Sequence, residues 1–307
     1  MKIKVGVIGV GTMGQHHARV YAEFPSVELV GVADVDGVLA HSVAERFRTT
    51  AFTDYKELLK QGVDAVSIAV PTSFHKKVAV EVAEAGVSML VEKPIADTIE
   101  NAKEIIRRAE GNKVKLMIGH IERFNPVIPV IKKSIENTDV ISIDITRVGP
   151  IPPRIRDVGV VIDLATHDID LIRYLANSES KRIYGLASKC LSEREDIAIL
   201  SFEMENGILA HITTNWLTPY KVREINIYTK TKLVKGDFID QKVSEFSNCG
   251  EDNGYLVKEL NVPYGEPLKL ELESFIETIA VNKQPPVTGH DGLTALGIAL
   301  KCLAKKE

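Results

Sequence analysis

Six residues, Gly9-Val10-Gly11-Thr12-Met13-Gly14, follow directly on an apolar run, Lys2–Ile8, and open a stretch of helical periodicity, Gly14–Glu23. Three glycines at that spacing between strand and helix constrain the chain strongly. Gly9 permits a tight turn, Gly11 lets the backbone approach a pyrophosphate, and Gly14 lets the helix pack close to the strand. The helix N-terminus adds unpaired amides and a partial positive charge, both suited to phosphates. The string alone occurs in several doubly wound folds; its place between strand and helix gives it meaning. Asp34 closes the next apolar run, Val27–Ala33, about 20 residues beyond Gly14, where a carboxylate accepts the hydroxyls of an adenosine ribose. A 2′-phosphate there would meet repulsion, and Val35-Asp36-Gly37 offers no arginine to relieve it. NAD is therefore expected over NADP, with Gly9, Gly11, Thr12, Met13, Gly14 and Asp34 at the cofactor. The alternative is a glycine turn of another doubly wound fold, with Asp34 a plain turn residue.

The pattern that follows supports a Rossmann domain. Apolar runs at Ala65–Val70, Ser88–Val91 and Lys115–Ile118 alternate with helical stretches at Val38–Phe47, Tyr55–Gln61, His75–Ala85 and Thr98–Ala109. Continuous apolar strands separated by helices indicate a parallel sheet covered on both faces. After about residue 120 the pattern changes. Helices are expected over Pro126–Glu136 and Asp163–Leu175, and strands over Ile141–Arg147, Arg182–Cys190, Asp196–Glu203, Ile208–Asn215, Glu224–Thr229 and Leu233–Lys235. Glu205-Asn206-Gly207 reads as a turn between two of them. Helices over Lys269–Val281 and Gly292–Ala304 close the chain. The expected fold is α/β: a doubly wound parallel sheet in residues 1–120, then an α+β domain in 121–307 built on an open, mainly antiparallel sheet.

Bulk properties narrow the function class. The 307 residues carry a net charge of −4, which gives no global basic field and argues against nucleic acid as the main partner. Cys190, Cys249 and Cys302 are widely separated, and none forms a metal-type or redox-type pair. A reducing, cytoplasmic setting fits, with no secretory pattern before the first strand and no apolar run long enough for a membrane span. No metal is expected, since no Cys/His cluster has ligand spacing.

Three further segments carry chemistry. Pro71-Thr72-Ser73-Phe74-His75 and Val91-Glu92-Lys93-Pro94 lie at the C-terminal ends of parallel strands, where such folds bind ligands. Pro71, Thr72, His75, Glu92 and Lys93 are accordingly expected at the cofactor. Pro94 restricts Lys93 to an extended or turn geometry, with a cis peptide a possibility. Asp163 and His167 stand at i and i+4 on an expected helix, hence on one face. Asp168 and Asp170 fall off that face and read as solvated or capping acids. Alcohol oxidation needs these groups. Hydride leaves a carbinol carbon only as its hydroxyl proton is removed, and a histidine, titrating ordinarily near ~6.5, suits that task. A lysine stabilises the developing negative charge, and a carboxylate orients the imidazole or holds a neighbouring hydroxyl. Each residue also has a bland reading: Lys93 a surface lysine, His167 a satisfied polar group, Asp163 an N-cap.

Taken together, the Gly9–Gly14 turn, Glu92-Lys93-Pro94, Asp163-x-x-x-His167 and Pro285-Pro286-Val287-Thr288-Gly289 resemble the glucose–fructose oxidoreductase/inositol dehydrogenase (Gfo/Idh/MocA) family along the whole chain. The resemblance implies Lys93, Asp163 and His167 as the catalytic set, with His167 the acid–base. It also implies a sugar, cyclitol or related substrate, and dimers or tetramers formed through the open sheet's exposed face. Within the family, the stretches Gly119–Pro126, Arg147–His167 and Asn215–Arg223 are similar to archaeal-type UDP-N-acetylglucosamine 3-dehydrogenases. Those oxidise the sugar's 3-hydroxyl to a ketone that a partner aminotransferase consumes.

A UDP-sugar carries a diphosphate, which needs cations or amide donors. Arg123, Asn125, Arg154, Arg156, Tyr220 and Arg223 are the candidates for substrate binding, with Lys221 a further cation and Tyr220 or Trp216 a stacking surface. The bland alternatives are that Arg154 and Arg156 solvate a loop, Trp216 is core, Phe124-Asn125-Pro126 begins a helix and Arg123 pairs with Glu122 or another acid. Two other functions stand beside this one. A dehydrogenase of inositol or another uncharged sugar would give the arginines no anion to bind. A non-catalytic NAD-binding regulator would need no acid–base set.

Overall fold

The computed structural model describes residues 2–151, 158–248 and 254–304. The chain divides into two compact units: Met1–His120 with Leu268–Thr294, and Ile121–Pro267 with Ala295–Glu307. Leu268–Thr294, which the sequence reading gave to the second domain, thus groups with the first.

The first unit is built on β1 (Ile3–Ile8), β2 (Val27–Ala33), β3 (Thr50–Phe52), β4 (Ala65–Ile68), β5 (Ser88–Glu92) and β6 (Leu116–Gly119). They form one sheet in the order β3-β2-β1-β4-β5-β6, all parallel. β1, β4 and β5 run through the core, with Val5, Val7, Ala65, Val66, Met89 and Leu90 inaccessible to water, which is why they read as unbroken apolar runs. Helices α1 (Thr12–Glu23), α2 (Gly37–Phe47), α3 (Tyr55–Leu59), α4 (Thr72–Glu84) and α5 (Ile99–Gly111) make the crossovers. Asp36, Asp54 and Thr98 cap α2, α3 and α5 with side-chain acceptors. The chain winds outward from β1 to β3, then returns to β4 on the other side of β1. The C-terminal ends of β1 and β4 are therefore the switch point, where such sheets open a crevice.

The return of the C-terminal segment has a local cause. Val287 is fully buried, its carbonyl accepts from Ile118 N at 3.1 Å, and Thr288 bridges Met117 in antiparallel fashion. The segment therefore extends the edge of the first sheet beyond β6. Two helices flank it, α8 (Pro267–Ala280) and α9 (Gly289–Leu303).

The second unit carries an eight-stranded sheet: β7 (Val140–Pro150), β8 (Ser180–Ser188), β9 (Ile197–Met204), β10 (Leu209–Asn215), β11 (Leu217–Thr229), β12 (Lys232–Asp237), β13 (Lys242–Asn248) and β14 (Tyr255–Leu260). Its order is β14-β13-β12-β11-β7-β10-β9-β8. Every pairing is antiparallel except β7 with β10. Gly207, at φ +86, turns β9 into β10. β13 and β14 were not expected from sequence. Only Val243 of β13 is fully buried and β14 is exposed almost throughout, so neither has the buried face that produces an alternating pattern.

Helical elements lie beside this sheet: a 3₁₀ turn (Ile121–Phe124), α6 (Val127–Ser134), a π turn (Val161–Ala165) and α7 (Thr166–Ala176). The expected uniform helix from Asp163 is thus corrected to a π turn that passes into α7. The sheet's other face stays open. Leu209 and Tyr228 flank Ser142 there in one row, and Leu186 pairs with Ile199 in another; these four apolar side chains are exposed. Among the described residues, no helix is long and apolar enough to cross a membrane.

Candidate functional site

At the switch point two of the three glycines of the turn have a steric reason within the protein. Gly9 sits at φ +85, and a Cβ there would lie 2.7 Å from Val70 N. A Cβ on Gly14 would lie 1.8 Å from Gly9 O, so helix and turn are in contact through that position. A Cβ on Gly11 would meet nothing within 4 Å. The protein supplies no reason for glycine at 11; a ligand approaching the backbone does. Gly11 is also the N-cap of α1, without a side-chain cap and with no acid in the first turn. The amides at this helix end are thus left to an anion. These features fit the pyrophosphate of NAD.

Asp34 ends β2 and is half-buried. Its Oδ2 accepts from Val10 N at 2.8 Å and its Oδ1 from Asp36 N at 3.0 Å. The carboxylate secures the glycine turn, and each oxygen retains acceptor capacity.

Pro71 and Thr72 begin α4 at the end of β4, with Pro71 in the N-cap position. His75 and Glu92 are less available to a ligand than sequence suggested. His75 is buried, with Nδ1 2.9 Å from Pro94 O and Nε2 2.9 Å from Val70 O. Burial lowers its pKa, against the pull of those two carbonyls. Glu92 is buried against His17, Nε2 to Oε1 2.9 Å. Burial alone would raise its carboxyl, but the hydrogen bond and charge of His17, with Lys93 nearby, hold it below the ordinary range. Lys93 itself is half-buried, and its peptide to Pro94 is cis.

In the second unit, Asp163 lies in the π turn, half-buried, and His167 follows in the first turn of α7, buried. π turns inside helices are often found at functional sites. Asp168 and Asp170 are not the solvated acids expected; both are inaccessible to water. Arg147, itself buried, donates from Nε to both Asp168 oxygens, at 2.8 and 3.0 Å, and from NH1 to Glu122 at 2.7 Å. Arg223 NH1 reaches the same Glu122 oxygen at 3.1 Å. Burial pushes the Asp168 carboxyl up to about 6, with Arg147 opposing. Glu122 goes the other way, since Arg147 and Arg223 outweigh its burial.

The substrate candidates divide accordingly. Arg123 grips Asp170 with Nε and NH2, each at 2.5 Å, and lies 5.0 Å from the Tyr174 ring. Asn125 is buried, donating to Phe238 O and accepting from Val127 N to begin α6. Arg123 and Asn125 are thus also framework residues, engaged by an acid and a carbonyl remote in sequence. Trp216 is buried, as the core reading had it. Tyr220 is exposed, and the Arg223 side chain keeps 34% of its surface. Arg154 and Arg156 lie outside the described residues. Sequence reasoning missed His17, Ser67, Tyr21, Glu122 and Arg147 as site-shaping residues. The signal available was a charged or imidazole side chain on an otherwise apolar face, as with Arg147 in line with Ile143 and Ile145. Among the described residues, no group of three or more His, Cys, Asp or Glu could hold a metal ion.

Residues 3–120 match the model of an oxidoreductase family with an NAD-binding Rossmann fold, and residues 143–234 match the GFO/IDH/MocA C-terminal domain. The rhizopine catabolism protein MocA of Rhizobium meliloti is 30% identical, with 97% of this chain and 93% of that protein covered. The chain belongs to the Gfo/Idh/MocA oxidoreductase family. This Gfo/Idh/MocA member is also similar to the UDP-N-acetylglucosamine 3-dehydrogenase of Acidithiobacillus ferrooxidans, at 29% identity over 97% of this chain and 96% of that one. A solved structure of that enzyme gives a TM-score of 0.92, covering 98% of this chain and 97% of the other. The scyllo-inositol 2-dehydrogenase (NAD(+)) of Bacillus subtilis is 26% identical, covering 97% and 92%.

Proposed function

We propose that this oxidoreductase removes hydride from the 3-hydroxyl carbon of UDP-N-acetylglucosamine, giving the 3-keto sugar, with NAD preferred over NADP. The observation that carries this reading is the end-to-end similarity to the Acidithiobacillus enzyme, in sequence and in fold. NAD supplies the acceptor for the hydride. In this reading His167 takes the hydroxyl proton as the carbonyl forms, Lys93 hydrogen-bonds the same oxygen, and Asp163 orients the imidazole or a neighbouring hydroxyl. Arg223 and Tyr220 remain candidates for the nucleotide part. Arg154 and Arg156 stay in the proposal on their sequence pattern alone. The setting is cytoplasmic, and the ketone is consumed by an aminotransferase. A homodimer or homotetramer forms through the open sheet face.

One observation favours a second substrate. Arg123 is engaged by Asp170, and Arg223 is shared with Glu122, which leaves fewer cations for a diphosphate. An uncharged cyclitol such as myo-inositol needs none, and an inositol dehydrogenase is among the similar proteins. The enzyme is incubated with NAD and each of the two substrates while reduced nicotinamide is followed by absorbance. Turnover of UDP-N-acetylglucosamine with little on myo-inositol supports the first reading; the reverse rejects it.

A further inference from the structure

Two buried histidines outside the acid–base set converge on the residues either side of Lys93. His17, on α1, is completely buried. Its Nε2 meets Glu92 Oε1 and its Nδ1 meets Ser67 Oγ, both at 2.9 Å. One turn further along α1, the Tyr21 hydroxyl lies 2.8 Å from the same Ser67 Oγ. The chain of contacts satisfies every member: Tyr21 meets Ser67, Ser67 meets His17 Nδ1, and His17 donates from Nε2 to the Glu92 carboxylate. Glu92 Oε2 in turn accepts from Lys93 N at 3.3 Å. On the other side of Lys93, His75 from α4 places Nδ1 against Pro94 O and Nε2 against Val70 O. An imidazole buried this deeply is costly unless partnered, and an apolar residue would fill the space without that cost.

We infer that His17 and His75 are positioning residues for Lys93, fixing the main chain on either side so that its ammonium stem leaves one defined backbone position. His17 does more than His75. It ties Lys93 to α1, whose N-terminus is the anion-binding end of the glycine turn, so the lysine and the cofactor helix share one register. His75 ties the same loop to the end of β4, at the switch point. Neither ring touches the reacting atoms. The inference rests on the reading of Lys93 as part of the acid–base set.

The test compares His17→Leu, His17→Gln and His75→Leu with wild type and Lys93→Ala, using the substrate that is turned over in the two-substrate assay. Both Leu variants should lower kcat at least about tenfold, as a lysine displaced by a fraction of an ångström would, with KM for the sugar within about threefold. The alkaline limb of their pH–rate profiles should move. His17→Gln, whose amide can donate to Glu92 and accept from Ser67, should recover most of the loss. In a Lys93→Ala background, His17→Leu should cost nothing further. Where a Leu variant fails to fold, Ser67→Ala removes the shared partner of His17 Nδ1 and the Tyr21 hydroxyl while leaving His17 on Glu92, and should show the same kcat effect at smaller size. Wild-type kcat in folded His17→Leu and His75→Leu, with Lys93→Ala slowed to a small residual rate, overturns the inference alone. Additive loss in the Lys93→Ala background does so as well, by showing a purely structural role. Full turnover by Lys93→Ala instead overturns the reading of Lys93 itself.

Discussion

The two units hold their functional groups by different physics. In the first, the glycine turn is set by steric contact, Asp34 by main-chain amides, and the residues either side of Lys93 by the imidazoles of His17 and His75, with His17–Glu92 a buried pair of titratable groups. In the second, the helix carrying His167 is held by charge. Arg147 grips Asp168 and Glu122, Arg223 shares Glu122, and Arg123 grips Asp170. A site held by shape leaves its ligand-binding groups available, as the uncapped end of α1 shows. A site held by ion pairs engages the very residues that look like ligand contacts. A buried arginine is first a partner for buried acids, and only its remaining donors can serve a substrate.

Breaking one member of each framework should separate the two. Arg147→Met leaves Asp168 and Glu122 buried without their main cation, a class of change that costs about 3–5 kcal/mol. Urea unfolding should show this as a large loss of stability, well above the effect of His17→Leu, which removes hydrogen bonds worth about 1–3 kcal/mol. Equal losses would erase the contrast between the units.

A sharper cut lies within the first unit. Gly14→Ala places a Cβ 1.8 Å from Gly9 O and should damage both folding and NAD binding. Gly11→Ala meets open space in the protein, so its melting temperature should stay near wild type while Kd for NAD rises at least about tenfold, or 1.4 kcal/mol. Unchanged NAD affinity in Gly11→Ala would deny that the open space belongs to the cofactor. Asp34→Asn should narrow the NAD over NADP preference by about tenfold, read as the ratio of the two dissociation constants, with some loss of stability because the side chain also holds Val10 N.

The smallest effect is in pH. Glu92 is held below its ordinary value of 4.5 in the folded protein, so the stability it contributes is present above that value and lost as pH falls through the folded one. The stability difference between wild type and His17→Leu should therefore be largest above about pH 4.5 and shrink in more acid solution. A difference that grows on acidification would contradict the pairing.

The same contrast explains what the amino-acid sequence disclosed. The Rossmann sheet was legible because its strands are buried on both faces and its turn glycines, Gly9, Gly11 and Gly14, stand close together between strand and helix. The antiparallel sheet was most legible where one face is buried, as in β9 and β10, whereas β13 and β14 lack such a face. The site in the second unit was less legible still. Nothing local to Arg123 shows that Asp170 will receive it, 47 residues on, and the partners of Arg147 lie on two different elements. His17 was missed for the same reason: its role depends on Ser67 and Glu92, which only the fold brings near.

Hydride removal from a defined sugar carbon to NAD is open to one direct isotope experiment. UDP-N-acetylglucosamine carrying deuterium at C3 is incubated with the enzyme and NAD, and both products are weighed by mass spectrometry. Singly deuterated NADH should form together with a 3-keto sugar nucleotide that has lost the label. Unlabelled NADH, or a labelled sugar left intact while myo-inositol is oxidised, would contradict this reaction.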